Sequence, residues 1–105
     1  DLLAFYVYIL RCADGSYYSG HTDNLETRAA AHQAGQIAGY TSRRMPVSLV
    51  FSEEFSSRYE ALERERQIKG WSRRKKEALI NNDWDALTAL SKSRWFDKLT
   101  TNGLG

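Results

Sequence analysis

From Ala4 to Arg11 the chain alternates in a two-residue period, with Phe5, Val7 and Ile9 on one side and Tyr6, Tyr8 and Leu10 on the other. Both sides are apolar or aromatic, so the pattern predicts a strand covered on both faces. Ala13-Asp14-Gly15-Ser16 predicts a tight turn, because Asp-Gly supplies the positive φ angles that a hairpin loop needs. Ser16 to Ser19 then reads as the return strand, with Gly20 ending it. Thr22, Asp23 or Asn24 can cap a helix that runs to about Ala34. Its inward stripe is Leu25, Arg28, Ala29 and His32, spaced i, i+3, i+4 and i+7. An arginine and a histidine on that stripe break a core pattern. Buried charge is costly unless paired, so these two are expected to line a wet pocket.

Gly35 to Met45 reads as a loop, and Pro46 to Phe51 as a third strand, with the proline tolerated only at its start or on an edge. Ser56 or Ser57 caps the next helix, Ser57 and Glu60 forming a capping box, and Gly70 ends it after Lys69. Ser72 caps a basic helix to about Asn81, and Asp83 opens a short helix through Leu90. The order β-β-α-β-α-α, with that short helix after it, predicts an α+β fold: a small three-stranded antiparallel sheet flanked by helices. Residues 1–90 are expected to form one domain. In the weakly patterned tail 91–105, Trp95, Phe96 and Leu99 could pack back as one helical turn or take no fixed position.

Composition narrows the classes. A single cysteine, Cys12, excludes an intramolecular disulfide and a cysteine-built zinc site, and fits a reducing, cytoplasmic setting. No apolar run approaches the roughly 20 residues of a membrane span. The net charge of +2 says little, but its distribution says more. From Arg64 to Lys76 seven cationic residues (Arg64, Arg66, Lys69, Arg73, Arg74, Lys75, Lys76) stand against one carboxylate, Glu65. With Trp71 inside this zone, and Arg43 and Arg44 as a second basic spot, a footprint for phosphate backbones competes with an ordinary solvated helix face.

On the helix EALERERQIK, Glu65 is the single carboxylate on the stripe of Ala61, Leu62, Ile68 and Lys69. A carboxylate facing a sheet needs a partner: Arg28, Lys69 or a cation. These residues suit phosphodiester cleavage, which needs charge on the scissile phosphate and a base for the attacking water. Glu65 could bind Mg²⁺ through one carboxylate, with waters and phosphate completing the shell. Arg28 could make forked contacts to phosphate oxygens. Tyr8 or Tyr18 could act as base or relay if nearby cations and the metal lower the phenol pKa from about 10. His32 could hydrogen-bond to a tyrosine or shuttle a proton. Sheet packing is the ordinary use of each tyrosine, and structural burial that of a lone histidine.

Several pieces together resemble the GIY-YIG nuclease superfamily, in particular its small stand-alone single-domain bacterial group (UPF0213-like). Tyr6-Val7-Tyr8 resembles the first motif, with the tyrosine kept and Tyr6 where the family name has glycine. Tyr18-Ser19-Gly20 resembles the second, and Arg28 and His32 follow ten and fourteen residues after Tyr18, as on the family's helix. Tyr40-Thr41 with Arg43 to Val47 resembles the group's loop, and Glu65 with Ile68-Lys69 the segment carrying the metal-binding glutamate. The likeness covers residues 4 to about 81. It implies single-metal hydrolysis of DNA with Mg²⁺ or Mn²⁺: Tyr8 as the base for water with Tyr18 beside it, Arg28 stabilising the phosphate, Glu65 holding the ion and His32 supporting the tyrosine.

The reading is therefore an endonuclease acting in repair or recombination. Tyr6, Arg43, Arg44, Lys69, Trp71, Arg73, Arg74, Lys75 and Lys76 are its candidate DNA-binding surface, suited to single-stranded or distorted DNA. The alternatives are a non-catalytic nucleic-acid-binding module of the same fold and a homo-oligomeric interaction domain.

Overall fold

The doubly apolar alternation of the first strand is explained by its place in the middle of the sheet. The structure is a computed structural model that describes residues 3–91. In chain order it contains β1 (Phe5–Arg11), β2 (Tyr17–Thr22), α1 (Leu25–Gln33), β3 (Ser48–Phe55), α2 (Arg58–Lys69) and α3 (Arg73–Ile80), and residues 84–91 are also helical. The antiparallel sheet has the order β2-β1-β3, so β1 has a neighbour on each side. The described residues thus form the expected α+β fold, with three antiparallel strands and four helices.

Register sorts the side chains. Residues directly across an antiparallel pair share a face. Tyr6 pairs with Thr22, Tyr8 with Gly20 and Leu10 with Tyr18 on one face, and Val7 with His21 and Ile9 with Ser19 on the other. The Tyr8 face builds a core of Tyr8, Leu10, Cys12 and Val47, with Tyr18 and Leu25 of α1 packed against it. On the other face Val7 and Ile9 are fully buried. There α2 packs against all three strands with its buried stripe of Ala61, Glu65 and Ile68.

Two strands differ in their bounds from the expectation. β2 does not stop at Gly20 but runs to Thr22. That glycine is a site of close approach within the strand, since a Cβ there would lie 2.6 Å from the Tyr8 hydroxyl. The third strand starts at Ser48 rather than Pro46 and extends past Phe51 to Phe55. Pro46 has no N–H for the ladder. The continuation Ser52-Glu53-Glu54 pairs with Tyr8, Val7 and Tyr6, its polar residues being accommodated because β3 is an edge strand.

The caps follow the sequence. Asn24 accepts from the Thr27 N–H, Ser57 from Glu60 and Ser72 from Lys75, and Asp83 accepts from the Ala86 N–H at 3.1 Å. The described residues form two compact units, one ending at Gly70 and the other beginning at Trp71. In the second unit Lys75, Ala78 and Leu79 are the buried residues of α3. Trp95, Phe96 and Leu99 lie outside the described residues.

Leu10 is fully buried in the Tyr8-face core. Leu10→Ala removes its packing and leaves a cavity, and is expected to cost about 3 kcal/mol of folding stability, read as a lower urea midpoint by circular dichroism.

Candidate active site

Tyr8 is 1% exposed, and its ring lies over Gly20. Its hydroxyl is 3.1 Å from Nε2 of His32, and Nδ1 of His32 is 2.7 Å from Oγ1 of Thr41. The Asn24 cap fixes where α1 begins, and two turns later the helix delivers His32 to this point, 1% exposed. Tyr18 flanks the pair, its ring centroid 6.4 Å from that of Tyr8 and 5.2 Å from that of His32. Arg28 is exposed as a residue, unlike the inward position its spacing predicts, but its head group reaches the Tyr8 hydroxyl by charge and hydrogen bond. The sequence-predicted Tyr8, Tyr18, Arg28 and His32 are therefore brought together.

The electrostatics run against one expectation. Burial, reinforced by Tyr18, pushes the Tyr8 phenol up to about 12, and the nearby Arg28 charge and hydrogen bond only partly oppose this. The phenol is not lowered by the protein's own cations. Burial first, and the Arg28 charge second, push the His32 imidazole below its ordinary value. At neutral pH Tyr8 thus keeps its proton and His32 is uncharged.

Thr41 was missed as a functional candidate, although it is 1% exposed. It is held by a clamp around Arg44. The Arg44 guanidinium sits 3.7 Å over the Tyr40 ring, Nη1 donates to the Tyr40 carbonyl at 3.0 Å, and Nε donates to Asp14 at 3.1 Å. The Arg44 N–H donates to the Thr41 carbonyl, and the Arg44 carbonyl accepts from Ala13 in the hairpin turn. Ser16 donates through both N–H and hydroxyl to Asp14, which first and foremost holds that carboxyl below its usual value. Arg44, a candidate DNA contact, is thereby committed within the chain, while Arg43 beside it is exposed.

Glu65 lies on the other face of the sheet, 7% exposed. One oxygen meets Lys69 Nζ, one of the expected partners, at 2.5 Å. The other meets Nδ1 of His21 at 2.5 Å, a contact the sequence did not reveal because 44 residues separate the two. Burial raises the Glu65 pKa, but the hydrogen bonds and charges of Lys69 and His21 outweigh it and hold the carboxyl below the usual range. β2 joins the two halves of the site: Gly20 lies under the Tyr8 hydroxyl, and the next residue, His21, holds Glu65. The Glu65 charge is felt at Tyr8.

Among the described residues no three His, Cys, Asp or Glu side chains form a metal cluster. A single carboxylate still fits Mg²⁺, which keeps most of its waters and takes one or two carboxylates. Lys69, whose side chain is 56% exposed, is the partner that a cation at that carboxylate oxygen would displace.

The remaining candidates are placed less uniformly. Tyr6 lines a cleft with Asp23, Asn24, Leu25 and Glu26, an acidic neighbourhood for a phosphate. In the second unit Arg73 and Arg74 are exposed, and Trp71 is half-buried. Lys75 is buried with its ammonium 4.2 Å from the Trp71 ring centre, and burial followed by the Arg73 charge pulls the Lys76 pKa down. Among the described residues no helix is long and apolar enough to cross a membrane.

Comparison with known proteins gives one family. The GIY-YIG catalytic domain matches residues 4–78. A UPF0213 protein of Natronomonas pharaonis is 50% identical over 78 residues, covering 74% of this chain and 92% of the relative. One of Staphylococcus haemolyticus is 52% identical over 75 residues, covering 71% and 92%. The solution structure of a UPF0213 protein from Bacillus halodurans is similar with a TM-score of 0.50 at 44% identity, covering 75% of this chain and 84% of that one. A solution structure from E. faecalis gives 0.53 at 38% identity, with the same coverage.

The raised Tyr8 pKa carries a sign for stability. Between pH 10 and about 12 the unfolded phenol releases its proton while the folded one keeps it, so stability falls as pH rises through that window. Tyr8→Phe removes this term, and its unfolding midpoint is expected to fall less steeply than wild type from pH 10 to 12 in guanidinium titrations. Gly20→Ala places a methyl group against the Tyr8 hydroxyl; the expected result is a displaced Tyr8, seen as altered near-ultraviolet circular dichroism and a shifted His32 ring resonance.

Proposed function

The chain belongs to the GIY-YIG catalytic-domain family, among its UPF0213 members, and on that footing we propose that it is a metal-dependent endonuclease hydrolysing DNA phosphodiester bonds. The observation that carries this reading is the buried Tyr8–His32 pair, with Arg28 at the phenol and Glu65 held one residue beyond the glycine on which that phenol rests.

In the proposed reaction the Tyr8 oxygen takes a proton from the attacking water while the Tyr8 proton passes to Nε2 of His32. The water oxygen forms the new bond to phosphorus, the bond to the leaving oxygen breaks, and that oxygen takes up a proton from solvent. Arg28 faces the charge that builds on the phosphate oxygens, where a positioned donor acts most strongly in the transition state. Tyr18 packs beside the pair and holds the two rings in place. Glu65 would hold Mg²⁺ or Mn²⁺, whose charge neutralises the scissile phosphate. Arg43, Arg74 and Trp71 are the proposed DNA contacts. An aromatic side chain among cations favours single-stranded or distorted DNA over intact duplex. The single cysteine, buried and free, accords with a cytoplasmic setting.

The test is cleavage of a panel of single-stranded, duplex, flap, junction and RNA substrates with Mg²⁺ or Mn²⁺. Tyr8→Phe is expected to lower the rate by about 10²–10⁴-fold, and Glu65→Ala to abolish metal-dependent cleavage. Equal cleavage by wild type and Glu65→Ala would remove Glu65 from the site. Binding without cleavage in both would replace the enzyme by a nucleic-acid-binding module.

A further inference from the structure

His32 meets Tyr8 from β1, Tyr18 from β2, Arg28 from its own helix and Thr41 from the loop before β3. No carboxylate is among these neighbours. An imidazole nitrogen is either donor or acceptor when the ring is neutral, and the hydrogen bond at one nitrogen decides the state of the other. We propose that Thr41 is a positioning residue whose hydroxyl oxygen accepts from Nδ1–H of His32, leaving Nε2 bare to receive the Tyr8 proton.

The geometry supports this assignment from both ends of the ring. At 3.1 Å the Tyr8 hydroxyl and Nε2 share one proton, and because Arg28 already donates to the phenol oxygen we assign that proton to the phenol. Nε2 then carries no hydrogen, so Nδ1 does, and the atom 2.7 Å away is the Thr41 hydroxyl oxygen. Without that acceptor a buried N–H would have no partner, and the ring would favour the other tautomer, in which Nε2–H points at the Tyr8 hydroxyl and blocks proton transfer. The choice of a hydroxyl also has a chemical effect. A carboxylate at Nδ1 would stabilise imidazolium and let His32 hold a proton at rest. A neutral oxygen fixes the tautomer and leaves the ring uncharged. The Arg44 clamp keeps this oxygen in place: Arg44 holds the Thr41 carbonyl and is itself tied to Ala13, Asp14 and Tyr40. The hairpin turn between β1 and β2 thus supports the relay at a distance.

The tautomer assignment rests on the hydrogen-bond partners of the ring, whereas its effect on rate rests on the proposed Tyr8 chemistry. The experiment reads them separately. Long-range proton–nitrogen spectra of ¹⁵N-labelled protein report the His32 tautomer, with the signals assigned by their loss in His32→Gln. The expected result is Nδ1–H in wild type, a shift toward Nε2–H in Thr41→Val, and return of Nδ1–H in Thr41→Ser. In the cleavage assay Thr41→Val is expected to lose about 10–100-fold in kcat with KM nearly unchanged, with recovery in Thr41→Ser. Nε2–H in wild type, or an unchanged tautomer in Thr41→Val, overturns the proposal. If Thr41→Val does not fold, the wild-type and Thr41→Ser spectra decide, and Nε2–H in either overturns it. The expected tautomer series with no cleavage by any variant supports the assignment and removes the nuclease reading instead.

Discussion

A phenol shut away from water, resting on a glycine and bonded to an uncharged imidazole, is the constraint to which the first unit answers. Its ring takes the space a side chain at position 20 would fill, and this explains why β2 carries a glycine in mid-strand instead of ending there. Its burial requires a layer on that face, which α1 supplies only when its first turn starts at Asn24, so that His32 arrives two turns on. Its partner in turn needs Thr41, and Thr41 needs a loop closed against the hairpin turn. Four segments distant in sequence are fixed by the needs of one hydroxyl. An unpaired group at that depth would cost about 1–3 kcal/mol.

The carboxylate poses a separate problem on the opposite face. Glu65 is buried among apolar residues, and its desolvation is offset by two cationic or proton-donating neighbours. One of them, Lys69, sits on the same helix at i+4, and the other, His21, is on β2 next to Gly20. The edge strand is therefore the common support of both halves: Gly20 serves the phenol and His21 serves the carboxylate. Strand alternation turns adjacent residues to opposite faces, so a single strand can address two layers without a long connection.

Much of this was legible because local rules coincide with global needs. The caps at Asn24, Ser57 and Ser72 are side-chain chemistry that acts within three residues, and the alternation of Phe5 to Leu10 is fixed by a strand with two neighbours. His32 and Glu65 stood out as polar residues on apolar stripes. What escaped was set by pairing across the chain. Gly20 reads as a terminator unless the ring above it is known. His21 and Thr41 acquire their meaning from Glu65 and His32, and no periodicity marks them. Ser52, Glu53 and Glu54 do not look like a strand, because the ladder there rests on the backbone of an edge strand and not on a buried face. Arg28 has a stem long enough to leave the helix exposed and still return its head to Tyr8, so its place on the helical wheel is a poor guide to its contacts.

The lysine sheltered beneath Trp71 has a consequence for ionic strength. Four consecutive cations, Arg73 to Lys76, would release counterions from about four phosphates if all met a DNA backbone, each adding about 0.9 to the slope of log affinity against log salt. Lys75 is spent on the indole, leaving that stretch with at most three residues placed to displace ions. A charge count from the sequence thus overstates how steeply salt would loosen a nucleic acid from α3, and the difference is one buried ammonium.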